Sequence, residues 1–221
     1  MANSIKVDLE IIFVDCFDTL ILRKEKTNQI FKNWACQLSS QFDINWKILY
    51  KTYKKINFCA CIKKFFTNFI FQESFDVVVS KMYSKLSKKY KTLNKEQFVS
   101  SAVDLYIKEE MKTHYVNESF INLLKAEKLK GKKLYIVSDF YLSSNILKKW
   151  IENLKIENLF DDIYSSCDYN KEKSTAKLYK HLLRQLNLNP KQVLMIGDNV
   201  WSDIFMARLC GLNAQKIKHR R

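Results

Sequence analysis

Two aspartates after a short apolar run near the start of the chain are the first residues that could do chemistry. Residues 11–14 read Ile-Ile-Phe-Val, Asp15 follows directly, and Asp18 comes three residues later. Such a run is typical of a strand buried on both faces of a parallel sheet. Ligands of open α/β sheets bind at the carboxyl ends of the strands. A carboxylate there needs a metal, a basic group or backbone N–H groups as partner, although a plain acidic turn has the same local sequence.

Further polar residues end two later apolar runs or precede a later helix: Ser138 and Asp139 after residues 133–137, Asp198 with Asp203 after residues 193–197, and Lys173. If the strands are parallel, their carboxyl ends share one edge and these side chains converge. Carboxylates that lie close together stay ionised only with a cation between them. Oxygen ligands without His or Cys suit a hard ion, so this set favours Mg²⁺.

A hydroxyl and an ammonium group beside such an ion would bind an anionic oxygen group, and phosphate fits best. Asp15 would then attack phosphorus, which is covalent catalysis by a carboxylate. Mg²⁺ and Lys173 would neutralise the charge on the transferring group.

The order of the predicted elements indicates how these residues are positioned. Strands are predicted at 133–139, 160–164, 193–198 and 212–217, and helices at 118–128, 143–155, 174–187 and 202–210. This alternation predicts right-handed βαβ units with a parallel sheet. Residues 24–115 contain no Gly or Pro, and their apolar spacing predicts helices throughout. We expect an α/β fold, a Rossmann-like three-layer sandwich of residues 1–22 and 117–221, with residues 23–116 inserted as an α-helical cap over the sheet.

The composition limits the class of protein. A chain of 221 residues with 47% apolar residues can form one α/β core with an insertion. The six cysteines have no zinc-site spacing, and free thiols predict a cytoplasmic location. The net charge of +15 attracts anions, but the bases are scattered, so nucleic acid is not expected as a partner. No apolar stretch approaches the roughly 20 residues that span a bilayer, so no membrane partner is expected.

Four segments in chain order resemble the motifs of the haloacid dehalogenase-like (HAD) hydrolase superfamily. They are Phe13-Val-Asp-Cys-Phe-Asp-Thr-Leu, Ile136-Val-Ser, Lys173-Ser-Thr-Ala-Lys-Leu-Tyr and Met195-Ile-Gly-Asp-Asn-Val-Trp-Ser-Asp. Each falls at the appropriate place on a predicted strand or helix. The resemblance covers residues 10–22 and about 117–217, and the helical insertion is similar to the small α-helical cap of that family.

The resemblance implies a nucleophile and a metal site. Asp15 would be the nucleophile and also a Mg²⁺ ligand. Asp198 and Asp203 would hold the ion directly or through water, and the backbone carbonyl of Phe17 would be a further ligand.

The resemblance also implies a phosphate site. Ser138 and Asp139 would bind the transferring phosphoryl group, and Lys173 would stabilise that group and orient the nucleophile. Lys177 fits this role less well, because Lys173 has the appropriate spacing to Tyr179.

One position departs from the pattern of the phosphatases in this superfamily. They usually carry a second Asp two residues after the nucleophile as a general acid/base, whereas this chain has Phe17 there and Asp18 one residue later. Either Asp18 reaches the leaving oxygen through a rearranged turn, or the acid step is absent. General acid catalysis typically contributes about 10²–10⁴-fold. Arg23 could contact the substrate or form a structural ion pair.

We therefore predict a Mg²⁺-dependent phosphatase acting on a small phosphorylated metabolite. Two alternatives remain open. A dehalogenase needs no metal, but Asp198 and Asp203 would repel its carboxylate substrate. A catalytically idle binding protein for an anionic partner is favoured by Phe17 and the net charge of +15, and opposed by the intact polar residues. The sequence indicates no oligomeric state.

Overall fold

The computed structural model describes residue 5 and residues 9–217. Two compact units divide the chain. The first consists of Met1–Leu22 with Tyr115–Arg221, and the second of Arg23–His114. The sequence predicts the return to the first unit at residue 117, two residues later. That the second unit acts as a cap stays a prediction.

A five-stranded parallel sheet forms the centre of the first unit. Its order is β5-β4-β1-β6-β7. The strands are β1 (Ile11–Val14), β4 (Lys133–Ser138), β5 (Asp162–Ser165), β6 (Val193–Gly197) and β7 (Asn213–Lys216). The predicted α/β class and parallel sheet are confirmed.

Strand β1 is the central strand, as its continuous apolar run predicts. All four of its residues are buried. Ile12 pairs with Leu134 on one side and with Leu194 on the other, and both pairings are parallel. Because β1, β4 and β6 start in register and run parallel, their carboxyl ends lie at the same edge of the sheet.

The helices of the first unit are α5 (Glu118–Leu129), α6 (Ser144–Asn153), α7 (Ser166–Tyr169), α8 (Lys177–Gln185) and α9 (Met206–Leu209). On one sheet face, Phe13, Val137 and Met195 share a core cluster with Leu178 of α8 and Ala207 of α9. Helices α5 and α6 contact strands β4 and β5.

Two of these helices start later than predicted. Helix α8 begins at Lys177 and not at 174, because Ala176 adopts a left-handed conformation with φ +61°. Such a backbone conformation interrupts an α-helix. Helix α9 begins at Met206, because Val200–Phe205 before it form a π-helix.

The second unit consists of four helices, α1 (Thr27–Phe42), α2 (Trp46–Asn68), α3 (Phe75–Leu86) and α4 (Lys95–Thr113). Its core is aromatic: the Phe31 ring stacks on Tyr53 and Tyr106 with centroids 4.3 and 4.7 Å apart. The Trp34 indole is fully buried and donates its N–H to the Ala102 carbonyl at 2.7 Å. Aromatic side chains therefore form much of the core of this unit.

Two short strands that the sequence analysis missed lie where the chain passes between the units. Strands β2 (Ile21–Arg23) and β3 (His114–Val116) form a separate two-stranded sheet. With three residues each, they are too short for a periodic signal. Within residues 9–217, every helix is too short or too polar to cross a lipid bilayer.

Candidate active site

The carboxyl ends of three adjacent strands bring the predicted residues together. Asp15 directly follows β1, Ser138 ends β4, and Asp198 directly follows β6. The backbone N–H of Asp15 donates to the Ile196 carbonyl at 2.8 Å, which extends the pairing of β1 with β6 beyond the end of the strand. Parallel register thus places residues that are about 180 positions apart side by side.

Asp15, Asp198 and Asp203 form a compact group of acids. One carboxylate oxygen from each lies within 4.8 Å of the other two. Asp15 and Asp203 are buried and Asp198 is half-buried. Thr19 donates a hydrogen bond from its hydroxyl to Asp198 Oδ1 at 3.3 Å. A set of three carboxylate oxygens is a donor set that fits a hard divalent cation such as Mg²⁺.

The turn after β6 fixes the third acid. The side chain of Asn199 accepts the backbone N–H groups of Trp201 and Ser202, which caps the start of the π-helix. Asp203 Oδ2 accepts the backbone N–H of Asn199 at 3.0 Å, so the carboxylate folds back toward the strand end. Gly197 makes room for it, because a Cβ there would lie 2.2 Å from Asp203 Oδ2.

Lys173 lies between two of the acids. Its Nζ donates to Asp15 Oδ1 at 2.5 Å and to Asp203 Oδ1 at 2.7 Å, and the residue is only 1% exposed. Burial alone would lower the pKa of Lys173, but these two carboxylates raise it well above its ordinary value. Lys173 is therefore an ammonium cation. The alternative, Lys177, is exposed at the first turn of α8.

The charge of this site is not balanced by Lys173 alone. Burial raises the pKa of Asp15 to about 7, the Lys173 ammonium opposes that shift, and the charges of Asp203 and Asp198 add to it. Three acids against one ammonium leave an excess of negative charge in a mostly buried place. A divalent cation bound there would hold Asp15 in its ionised, nucleophilic form.

Asp139 holds the segment that carries Lys173. Its Oδ1 accepts the backbone N–H of Lys173 at 2.7 Å, and its Oδ2 accepts that of Ser174 at 3.0 Å. Burial raises the pKa of Asp139 to about 6, while the Lys173 charge and these two hydrogen bonds oppose the shift. Both oxygens already have donors, so direct phosphate binding by Asp139 stays a prediction that these contacts do not support. Ser138 is 1% exposed at the end of β4, and its phosphate contact also stays a prediction.

The position of the usual acid/base is occupied by an aromatic cluster. The Phe17 ring packs against Phe140, with centroids 4.4 Å apart, and against Trp150 at 6.0 Å. Asp18 is exposed with φ +56°, its backbone N–H donates to the Ile21 carbonyl at 2.8 Å, and it is outside the group of three acids. A catalytic role for Asp18 and a metal contact by the Phe17 carbonyl stay predictions.

Two features of this region were not predicted. Thr19 as partner of Asp198 and Asp139 as anchor of the Lys173 segment depend on contacts between residues 34 or more positions apart. Thr19 follows Asp18, which is a predicted site residue, and Asp139 is itself predicted, but as a phosphate ligand. Neither signal indicates the contacts that the structure shows. Of the two roles considered for Arg23, the structure shows the ion pair: its Nε lies 3.1 Å from Glu110 Oε2.

The family model of haloacid dehalogenase-like hydrolases matches residues 9–211. The chain belongs to this family. The match spans both the strand ends that carry the acids and the helical unit, so the resemblance predicted from the four segments is confirmed. The protein is a HAD-like hydrolase.

Individual relatives are more distant. The glyceraldehyde 3-phosphate phosphatase of Pyrococcus furiosus is 27% identical over 93 residues, which are 41% of this chain and 39% of that protein. The chain thus matches well under half the length of this curated relative.

Two solved structures have the same fold. The HAD-hydrolase YfnB from Bacillus subtilis bound to magnesium has a TM-score of 0.58 at 21% identity, over 93% of this chain and 87% of that chain. The 2-haloacid dehalogenase from Pseudomonas syringae pv. Tomato DC3000 has a TM-score of 0.67 at 11% identity, over 94% of this chain and 85% of that chain. At such identities the likeness concerns the fold alone, which metal-binding and dehalogenase proteins share.

Proposed function

We propose that this HAD-like hydrolase is a Mg²⁺-dependent phosphatase that acts on a small phosphorylated metabolite through an aspartyl-phosphate intermediate. The observation that carries the proposal is the group of Asp15, Asp198 and Asp203 with the Lys173 ammonium between two of its members. A dehalogenase needs one carboxylate nucleophile, and the other two acids would repel its anionic substrate. A phosphatase needs all three to hold a divalent cation.

Asp15 performs the covalent step in this proposal. One carboxylate oxygen attacks phosphorus, the bond from phosphorus to the ester oxygen breaks, and an acyl phosphate forms. Lys173 keeps that carboxylate oriented and places a positive charge beside the transferring oxygens. Ser138, at the end of the adjacent strand, donates a hydrogen bond to the phosphoryl group.

The metal ion would be held by Asp15, Asp198, Asp203 and the Phe17 carbonyl. When bound, Mg²⁺ supplies a Lewis acid that draws negative charge from a phosphoryl oxygen. Thr19 holds the Asp198 carboxylate in place for this role through its hydroxyl hydrogen bond.

The lack of an acid at position 17 predicts which substrates react fast. A good leaving group such as p-nitrophenolate departs without being protonated. The alkoxide of an alkyl ester must instead take a proton from water. Activation of the water that hydrolyses the acyl phosphate also lacks a positioned base. Formation of the intermediate on p-nitrophenyl phosphate should therefore be faster than its hydrolysis.

The substrate class is proposed from relatives and from size. The curated relative is named for a three-carbon sugar phosphate. Members of the family with a helical insertion of this kind are expected to enclose small substrates. We therefore propose a small phosphorylated metabolite, such as a sugar phosphate, as the natural substrate.

The decisive experiment is rapid mixing of the protein and Mg²⁺ with p-nitrophenyl phosphate. We expect a burst of p-nitrophenolate of about one equivalent per active site, followed by a slow steady state. Asp15→Asn should abolish both phases, and EDTA should abolish them until Mg²⁺ is restored. The control variant Asp18→Asn should retain the burst, because Asp18 is exposed and outside the group of acids.

Other outcomes would assign the protein to another class. Halide release from a 2-haloacid that continues in EDTA would identify a dehalogenase and refute the proposal. The absence of turnover on a panel of metabolite phosphates, with Mg²⁺ present and the protein folded, would identify a binding protein.

A further inference from the structure

The second unit has an exposed stripe on α2 that the catalytic chemistry does not use. The outer stripe of α2 consists of Lys51, Lys55, Phe58, Ile62 and Phe66, whose spacings of three and four residues place them on one helix face. Phe58 is 66% exposed and Phe66 is 77% exposed. The buried residues of α2 lie on the opposite side of the helix, toward the core of the unit.

The surroundings of this stripe are basic and apolar. Helix α2 contains six lysines and no acidic residue in its 23 positions. Directly after it, Phe69 and Phe71 are 63% and 50% exposed. A groove of about 770 Å³ runs beside the stripe, and no acidic residue lines it. Its walls carry five lysines, Lys55, Lys63, Lys81, Lys85 and Lys88.

We propose that the outer stripe of α2 and the aromatic residues that follow it bind the surface of an anionic lipid bilayer. A helix with lysines on one part of its exposed surface and Phe on another is typical of segments that lie in the headgroup region. The aromatic rings would enter the boundary of the acyl chains, and the lysine ammonium groups would reach the lipid phosphates along their flexible stems. The charge of +15 adds a general attraction to such a surface.

An acidic partner helix is the competing occupant, and the shape of the surface disfavours it. A partner helix would place its apolar residues in the groove, whose apolar floor consists of Ile56, Cys59 and Ala60. The large exposed rings stand outside this floor, on the outer face of α2 and on the segment after it. A bilayer accepts projecting rings without a matching shape. Because no apolar stretch is long enough to span a bilayer, the sequence predicts no membrane partner, but binding to the bilayer surface needs no such stretch.

The test is co-sedimentation of the full chain with vesicles. We expect binding to vesicles of phosphatidylcholine mixed with phosphatidylglycerol, weakening as salt is added, and little binding to phosphatidylcholine alone. The double variant Phe58→Ser/Phe66→Ser should lower the partition coefficient at least about tenfold, because two rings that would enter the bilayer are lost. Lys51→Glu/Lys55→Glu should lower it at least about 25-fold, at about fivefold or more for each lysine.

Matched controls distinguish binding through this surface from non-specific effects of net charge and of exposed apolar side chains. Leu129→Ser removes an 89% exposed apolar side chain from the first unit, and Lys125→Glu/Lys191→Glu makes the same charge change there. The proposal predicts unchanged partitioning for Leu129→Ser and a change of less than about threefold for the charge control. Circular dichroism checks that each variant is folded.

Three results would overturn the proposal. One is the absence of binding to anionic vesicles at low ionic strength. Another is equal binding by the Phe58→Ser/Phe66→Ser variant and the unaltered protein, which would indicate non-specific adsorption. The third is retention on immobilised polyglutamate without vesicle binding, which would identify an acidic protein surface as the partner. None of these bears on the phosphatase assay, so the two proposals fail independently.

Discussion

Lys173 is the residue on which the geometry of the site depends. It is a long, charged side chain that is 1% exposed, and its Nζ contacts both Asp15 and Asp203. A buried ammonium is tolerated only when carboxylates surround it, and the buried acids equally depend on the ammonium. Anything that moves the Lys173 backbone therefore moves the charge that orients Asp15, the proposed nucleophile.

Asp139 should act as a positioning residue for Lys173. Asp139→Ala removes both acceptors of the backbone N–H groups of Lys173 and Ser174, so the segment loses its anchor. We expect the rate constant of the p-nitrophenolate burst, which reports attack by Asp15, to fall at least about tenfold, in line with the loss of charged hydrogen bonds of about 1.5–3 kcal/mol. The substrate concentration that gives half of the maximal burst rate should change little, and rapid mixing over a range of substrate concentrations would measure both quantities.

The matched control for that variant is Asp168→Ala. Asp168 likewise accepts a backbone N–H, that of Ser144 at 2.9 Å, but it does not hold the Lys173 segment. Its burst rate constant should stay within about twofold of that of the unaltered protein. A large rise in the substrate concentration for half-maximal burst rate, with an unchanged maximal burst rate, in Asp139→Ala would instead mean that Asp139 contacts the phosphate, as the family resemblance implies.

Phe17→Asp should restore a proton donor. The ring of Phe17 packs against Phe140 and Trp150, so the variant should lose about 1–3 kcal/mol of stability. If the acid step is missing, hydrolysis of an alkyl phosphate should rise by up to about 10²-fold, with a smaller effect on p-nitrophenyl phosphate. Phe17→Asn is the control, since it makes the same change of shape without a titratable group. A variant no faster than Phe17→Asn on the alkyl ester would argue that Asp18 already supplies the proton.

At the scale of elements, the connection after β6 determines the geometry of the proposed metal site. The strand end, the Asn199 cap and the π-helix Val200–Phe205 together turn Asp203 back toward Asp15. A π-helix forms its hydrogen bonds between residues five positions apart, one more than in an α-helix, and is often found at functional sites. Here it carries Asp203, so this connection supplies two of the three acids.

Gly197→Ala adds a single methyl group, but it should disturb the position of Asp203 in this connection. The new Cβ would lie 2.2 Å from Asp203 Oδ2, so the carboxylate must move. We expect the Mg²⁺ concentration for half-maximal activity to rise at least about tenfold, and stability to fall by about 1–3 kcal/mol as in other overpacked sites. Activity titrated with Mg²⁺ and thermal unfolding would measure the two effects.

Gly131→Ala provides the comparison for that substitution. Gly131 has φ +82° and open space around its missing Cβ, so the cost there is backbone strain alone, about 1 kcal/mol. Its Mg²⁺ requirement should be that of the unaltered protein. If Gly197→Ala also keeps the unaltered Mg²⁺ requirement, the Asp203 carboxylate is not a metal ligand.

At the scale of the whole molecule, the interiors of the two units are stabilised by different interactions. The first unit is organised by a parallel sheet, and the second by stacked aromatic rings with one deeply buried acid, Glu110. Arg23 and His114 each contact Glu110 Oε2 at 3.1 Å, and the Tyr106 hydroxyl donates to its other oxygen. These contacts join the first and last residues of the second unit to α4.

The stability of the protein should therefore depend on pH through Glu110. Burial alone would raise the pKa of Glu110, but the contacts with His114, Arg23 and Tyr106 lower it from 4.5 to about 2. Because the folded pKa is below the unfolded one, the contribution is complete above pH 4.5 and is lost as the pH falls toward 2. Its size is about 3 kcal/mol.

Unfolding by urea at a series of pH values would measure this contribution. Glu110→Gln should be less stable than the unaltered protein at pH 7, and the gap should close as the pH falls from about 4.5 to 2. Glu96→Gln, an exposed position on the same helix, should follow the unaltered protein throughout. A gap between Glu110→Gln and the unaltered protein that does not vary with pH would show that packing, and not charge, is lost.

Local sequence patterns by themselves determined most of the helices and strands, and the family. The apolar run before Asp15 predicts a central strand, because a strand buried on both faces shows no alternation. The three- and four-residue spacing of apolar residues in 24–115 predicts helices, which the structure has up to Thr113, where the short strand β3 follows. The ends of helices and strands were less well determined. Helix α8 starts later than predicted because Ala176 has φ +61°, and an alanine in a sequence gives no indication of a positive φ.

Only the tertiary structure decided which side chains meet. Parallel register brings Asp15 beside Asp198, and the π-helix returns Asp203 to the same place. The contact of the Lys173 ammonium with both Asp15 and Asp203 and the exposure of Asp18 depend on turns with positive φ and on contacts between residues 30 or more positions apart. Such contacts depend on how separate elements pack, and a local pattern contains no information about that packing.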